Sequence, residues 1–170
     1  QANCTQPKTC VRCKLTVGSA LGHTSFNQAC QRCGGYAYRT KILNVPYIDQ
    51  RQRWPHGCES VSTVMTLQYH GITISVDDFI DGYMPIGDAP KNGRGPDPNE
   101  VYCGDPYSIE GWGCFSPAIV RALNNLLVPK YWTVEHSYSY SLPTLCDRYI
   151  DKNIPVIIWA TVDMKNQAKY

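Results

Sequence analysis

The sequence predicts an α+β fold preceded by a small cysteine-rich module, and three observations predict it. A helix-period stripe begins at Cys58, directly after a proline–glycine turn. A nearly unbroken apolar run, Ile154 to Val162, reads as a strand buried on both faces. Five of the nine cysteines fall within residues 1–38, a segment with few large aliphatic side chains. The expected architecture is a helical layer carrying Cys58 against a sheet begun by residues 154–164, with domains at 1–38 and 41–170.

The bulk properties exclude several classes. The 170 residues suit one domain of modest size, or one domain plus a small module. A hydrophobic content of 43% supports a core. The net charge of +2 is too small to argue for a nucleic-acid or membrane-surface partner. No apolar run approaches the length of a membrane span. No signal peptide is visible, and a chain beginning at Gln1 rather than methionine is compatible with one already removed. Nine is an odd number, so at least one cysteine is expected outside any disulfide or zinc cluster.

Residues 1–38 cannot build an adequate apolar core, so something must staple them. Cys10-x2-Cys13 and Cys30-x2-Cys33 make a C-x2-C-x16-C-x2-C array, the spacing of a zinc ribbon. Cys10, Cys13, Cys30 and Cys33 are therefore the first candidate zinc ligands. A disulfide knot without metal is the competing reading, and an oxidising, secreted setting would favour it. The stretch CTQPKTCVRCKLTVGSALGHT resembles a short repeat of extracellular proteins from Gram-positive bacteria, C-T-x-P-K-T-C-x-x-C followed by A-L-G-H. That resemblance implies a secreted or cell-surface protein. It also implies a second ligand set, Cys4, Cys10, Cys13 and His23, with Cys30 and Cys33 as the remnant of a following unit.

A linker over 34–40 leads to the main domain. Ile42, Val45, Tyr47 and Ile48 are strand formers interrupted by Pro46. Pro55 and Gly57 mark a tight turn. Val61, Val64, Met65 and Tyr69 then follow helical spacing, and Gly71 stands where a helix end prefers glycine. Cys58 falls in the first helical turn. The exposed N–H groups and positive dipole end there favour an anion, which should ease loss of the thiol proton. The bland alternative is a buried, inert cysteine.

Ser75 is a candidate N-cap for a short helix with Asp77 and Asp78 in its first turn, packed through Phe79, Ile80 and Tyr83. Residues 84–113 are rich in proline, glycine, aspartate and asparagine, and a loop of this length is usually functional or tied down. Cys103 and Cys114 flank its end as a candidate disulfide. Asp88, Asp97, Glu100 and Asp105 lack calcium-loop spacing and read as solvated turn residues. Ser116 and Pro117 open a helix with Ile119, Val120, Leu123, Leu126 and Leu127 on its core stripe. A further helix spans 142–152, with Leu145, Tyr149 and Ile150 inward and Cys146 either a core thiol or a partner for Cys4. Trp132 and Trp159 read as core residues.

The stretches VPYIDQ, GCES, MTLQYHGI, GPDPNEVYCGDPY, GCFSPAIVRALN and DKNIPVIIWATVDM, in that order, resemble the C39-like branch of the papain-like cysteine peptidases. The resemblance spans about residues 42–164. It implies a papain-like fold, a peptide or protein substrate, and Cys58 as nucleophile, with no catalytic cofactor. Gln50 matches the glutamine whose amide helps line an oxyanion hole, and Gln52 is the runner-up. Residues 84–113 would form a wall of the substrate cleft. No residue matches the family's catalytic histidine or its acidic partner. They are expected beyond residue 170 or on a companion chain that completes the sheet, since a final apolar strand with an unpaired edge is a liability. His56 lies two residues before Cys58, His70 about three helical turns away, and His136 in a polar aromatic stretch; none is a strong substitute base. A catalytically inactive binding or assembly protein, or a thiol acyltransferase, remain the alternative readings.

Overall fold

The computed structural model describes residues 2–21, 29–34, 41–128 and 131–160. The chain divides into two units, Gln1–Ile42 and Leu43–Tyr170. In the first, strand β1 (Lys8–Thr9) pairs antiparallel with β2 (Thr16–Val17), placing Lys8 opposite Val17. The connection is a tight turn over Cys10–Lys14. Lys14 N–H donates to the Cys10 carbonyl at 2.9 Å, and Cys10 N–H donates to Leu15 O at 2.9 Å. A second turn repeats it, with Gly34 N–H donating to Cys30 O at 2.7 Å. The apolar side chains nearby do not form a core: Val11, Leu15, Val17 and Leu21 are exposed.

The second unit is built on three helices. Helix α1 is Cys58–Tyr69, α2 is Val76–Tyr83 and α3 is Ser116–Leu126. Helical spacing brings Val61, Val64 and Leu67 of α1 onto one face. They meet Val76, Phe79 and Ile80 of α2 and Ala118, Ile119 and Ala122 of α3 in one cluster, which Met84, Tyr102 and Cys114 complete. Phe79 and Ile80 are fully buried; each such side chain contributes about 1.5–3 kcal/mol on leaving water. The expected ends hold. Gly71 takes φ +78°, a left-handed conformation that stops α1 and that a Cβ would strain. Ser75 Oγ accepts the Asp78 N–H at 3.0 Å and caps α2. In α3, Phe115 rather than Ser116 is the cap residue, one position earlier than the sequence indicates, with proline in the first turn.

The long segment 84–113 is tied down by backbone bonds. Strand β3 (Ile86–Gly87) pairs parallel with β4 (Tyr102–Cys103). Cys103 N–H donates to Gly113 O at 3.0 Å, and Trp112 N–H donates to Cys103 O at 2.9 Å. Asp97 accepts the Asn99 N–H and Asp105 the Tyr107 N–H, so both serve as turn residues. Helix α4 (Leu142–Arg148) is shorter than expected and passes into a 3-10 turn, Ile150–Lys152; Leu145, Cys146, Tyr149 and Ile150 are half-buried.

Two expected strands do not form. Residues 41–50 join no ladder; Pro46 lacks a donor, and the segment's internal backbone bond is the local one from Val45 N–H to Leu43 O. Residues 154–160 form no strand and pair with none among the described residues, and Ile154, Ile158 and Trp159 are exposed. Strand formers need a neighbouring strand to satisfy their backbone, and composition alone does not supply one. Residues 161–164 of the expected sheet lie outside the described residues.

Candidate active site

Cys58 is the first residue of α1, and it is exposed. The approach to it is a series of turns. Trp54 N–H donates to Gln50 O at 2.8 Å, Gly57 N–H to Trp54 O at 2.9 Å, and Val61 N–H to Gly57 O at 2.9 Å. Gly57 is the N-cap and offers no side chain to bond the first-turn N–H groups. Those donors are left for another acceptor beside the Cys58 sulfur.

Side chains lock this approach in place. Trp54 Nε1–H donates to Asp77 Oδ1 at 2.7 Å, and Arg53 pairs with Asp77 Oδ2 at 2.6 Å. The guanidinium of Arg53 lowers the Asp77 pKa, and the indole N–H assists. Tyr102, fully buried, donates its hydroxyl proton to His56 O at 2.6 Å and so ties the turn to β4. The half-buried Gln50 donates its side-chain amide to Pro55 O at 3.3 Å, whereas Gln52 is exposed. Of the two candidate glutamines, Gln50 is the one anchored in the turn that leads to Cys58.

The residue next to the sulfur is Glu59, which the sequence reading leaves without a role. The residue is 9% exposed. Oε1 accepts the Cys114 N–H at 2.9 Å, and Oε2 accepts from Cys58 Sγ at 3.2 Å. Gly113 makes this bridge possible, because a Cβ there would stand 2.5 Å from Glu59 Oε1. The carboxylate thereby joins the start of α1 to the corner before α3. The signal was available only as an acidic residue in a first helical turn; the partner lies 55 positions away.

The thiol's acidity departs from the expectation of a lowered pKa. Although the residue is exposed as a whole, its sulfur is partly sheltered, and Cys58 is pushed up to about 11, first by that partial burial, then by the charge of Glu59 and the hydrogen bond to it. The N–H groups of the helix start pull the other way and are outweighed. The thiol is therefore protonated at neutral pH and needs a base to become a nucleophile.

Among the described residues no imidazole hydrogen-bonds to Cys58. His56 bonds through Nδ1 with the Gly111 carbonyl. A carbonyl can only accept, so Nδ1–H is the donor in this bond. His70 is exposed at the end of α1 and meets the Trp132 ring edge-on at 5.4 Å. His136 meets Tyr138 at 5.6 Å. Both border an open groove of about 840 Å³, walled by Leu67, Ile119, Leu123 and Trp132, which Cys58 does not line. Trp132 thus borders a groove rather than filling a core, and Trp159 donates its indole N–H to Cys114 O at 2.9 Å.

The remaining cysteines also settle into places. Cys103 and Cys114 are both buried thiols, not a disulfide. The Cys103 Sγ faces Pro96 O at 3.4 Å, and burial raises the Cys114 thiol's pKa. In the N-terminal unit the thiols of Cys4, Cys30 and Cys33 lie within 4.8 Å of one another, a group that could hold a metal ion. Cys10 and Cys13 sit together on the other turn, outside that group; backbone and side-chain bonds from Cys13 lower the Cys10 pKa. His23 lies outside the described residues. Cys4 keeps company with Cys30 at 3.7 Å rather than with Cys146.

The sequence pattern of the Peptidase C39-like family matches residues 42–170. Among solved structures, the "putative C39-like peptidase" of Bacillus anthracis is similar at 28% identity over 51% of this chain, with a TM-score of 0.46. This chain covers 45% of that one, so it spans less than half its length. No curated protein matches.

Proposed function

Because this chain belongs to the Peptidase C39-like family, we propose that it contributes the nucleophile and oxyanion hole of a cysteine peptidase, with Cys58 as the attacking residue. One observation supports this most: Cys58 is an exposed thiol at the first position of a helix whose cap leaves backbone donors open. In this reading a base takes the Cys58 proton, and the sulfur attacks the acyl carbon of a peptide bond. Negative charge then develops on the carbonyl oxygen. The Cys58 backbone N–H and the Gln50 amide are the proposed donors to it, Gln50 turning from Pro55 O to do so. The amine leaves with a proton from the base, and water hydrolyses the thioester.

The base is proposed to be an imidazole from outside the described residues, on this chain or on another. His56 is held to Gly111 O through Nδ1 and makes no bond to Cys58 among the described residues, and the other two described imidazoles pack against aromatic rings. Partial burial of the sulfur, with the charge of Glu59, keeps the thiol protonated until that imidazole is present. Incubation of the full chain with unstructured peptides under reducing conditions tests the reading by mass spectrometry. Cleavage that falls by at least about 10³-fold in Cys58→Ala supports it. Equal cleavage by that variant overturns it.

A further inference from the structure

We propose that Cys4, Cys30 and Cys33 supply three thiolate ligands to one zinc-class divalent cation, and that this ion is the core of the N-terminal unit. The inference is independent of the peptidase reading. It begins from what the unit lacks. Among its described residues the buried hydrophobic side chains are Cys4 and Cys30, at 6% and 1% exposure. Val11 is 87% exposed and Leu15 65%. The described residues of this unit bury only sulfur and supply no apolar core, and metal binding there is folding free energy.

The geometry fits a metal better than a disulfide. Four donors around a tetrahedral ion at about 2.3 Å stand about 3.8 Å from one another. Cys4 Sγ and Cys30 Sγ are 3.7 Å apart, and Cys33 Sγ lies within 4.8 Å of both. A disulfide would use two of the three sulfurs and strand the third in the same cluster.

The backbone also prepares the site. The turn from Cys30 ends at Gly34 with φ +71°, its N–H bonded to Cys30 O. The turn from Cys10 ends at Lys14 with φ 61° and the same bond to Cys10 O. A non-glycine residue in that conformation costs about 1–2 kcal/mol, so the turn is held by more than preference. Both turns direct the two sulfurs of a C-x2-C pair together, as thiolate metal sites require. Only the Cys30–Cys33 turn has a third sulfur beside it among the described residues. Thiolate donors select a soft ion, and each thiol releases its proton to solvent on binding. A fourth donor, water or another side chain, completes the tetrahedron.

The test uses the full chain, purified under reducing conditions without added metal. One zinc per chain is expected by elemental analysis. Cys33 is exposed, so iodoacetamide should label it only after chelation, while Cys10 and Cys13 label in both states. This readout needs no variant to fold. Cys4→Ser and Cys33→Ser should each bind zinc at least about tenfold more weakly, and a Cys10→Ser, Cys13→Ser double variant should bind as the parent does. Zinc lost from the double variant but kept by Cys4→Ser would overturn the proposal. So would a mapped Cys4–Cys30 disulfide in metal-free protein, or labelling of Cys33 that chelation leaves unchanged.

Discussion

Replacing Glu59 by glutamine tests what controls the sulfur. The carboxylate stands 3.2 Å from Cys58 Sγ and holds the thiol's pKa up, second only to burial. Glutamine keeps a carbonyl oxygen for the Cys114 N–H but carries no charge. With a pKa of about 11, the thiolate fraction at pH 8 is about 10⁻³. If the lost charge lowers the pKa by about 1, the thiolate fraction rises about tenfold. A less basic thiolate is a weaker nucleophile, with a Brønsted slope near 0.5, so alkylation should quicken about threefold. The assay is the iodoacetamide rate at Cys58, read by peptide mapping from pH 7 to pH 11. The expected result is a midpoint below that of the parent and a faster rate at pH 8. An unchanged midpoint, in a variant with a parent-like melting curve, would show that burial alone sets the acidity and would refute the reasoning.

Three further outcomes are expected. Stability should fall as pH rises from 9 towards 11, because Cys58 in the folded chain holds its proton to about 11 while the unfolded thiol ionises near 9. Below pH 9 both states are protonated and the contribution is intact; Cys114 and Tyr102 are raised too and add in the same direction. Thermal melts at pH 7 and pH 10 measure this, and Cys58→Ser should reduce the loss. Ser75→Ala removes the α2 cap and should cost about 1 kcal/mol, a drop of roughly 3 °C in Tm. Ser60 Oγ is buried without a hydrogen-bond partner among the described residues. Ser60→Ala should therefore be neutral or stabilising by up to about 1 kcal/mol in a denaturant titration, and a clear destabilisation would reveal a missed partner.

What the sequence discloses follows the range of the forces involved. The limits of α1 and α2 were legible because turn, cap and stop are written within a few residues: Gly57, Ser75 and Gly71 each act locally. The position of Cys58 came with them. The strand expected at 42–48 was misread from composition, and residues 154–160 join no ladder among the described residues, since a strand is defined by partners that composition does not reveal. The acidity of Cys58 was misjudged for a related reason. A helix start was visible, but the orientation of Glu59 depends on a bond to Cys114 that spacing does not reveal. The paired C-x2-C spacing marked the two turns, yet Cys4 rather than the Cys10–Cys13 pair lies beside Cys30 and Cys33, through tertiary folding of the module.

The most direct test of Cys58 as nucleophile is capture of the acyl-enzyme. Acid quenching during peptide turnover, followed by intact and peptide-level mass measurement, would find a substrate-derived acyl group in thioester linkage. The account predicts that group on the peptide containing Cys58 and its disappearance on chase. Turnover that proceeds with no adduct there, or with the adduct on another cysteine, would contradict it.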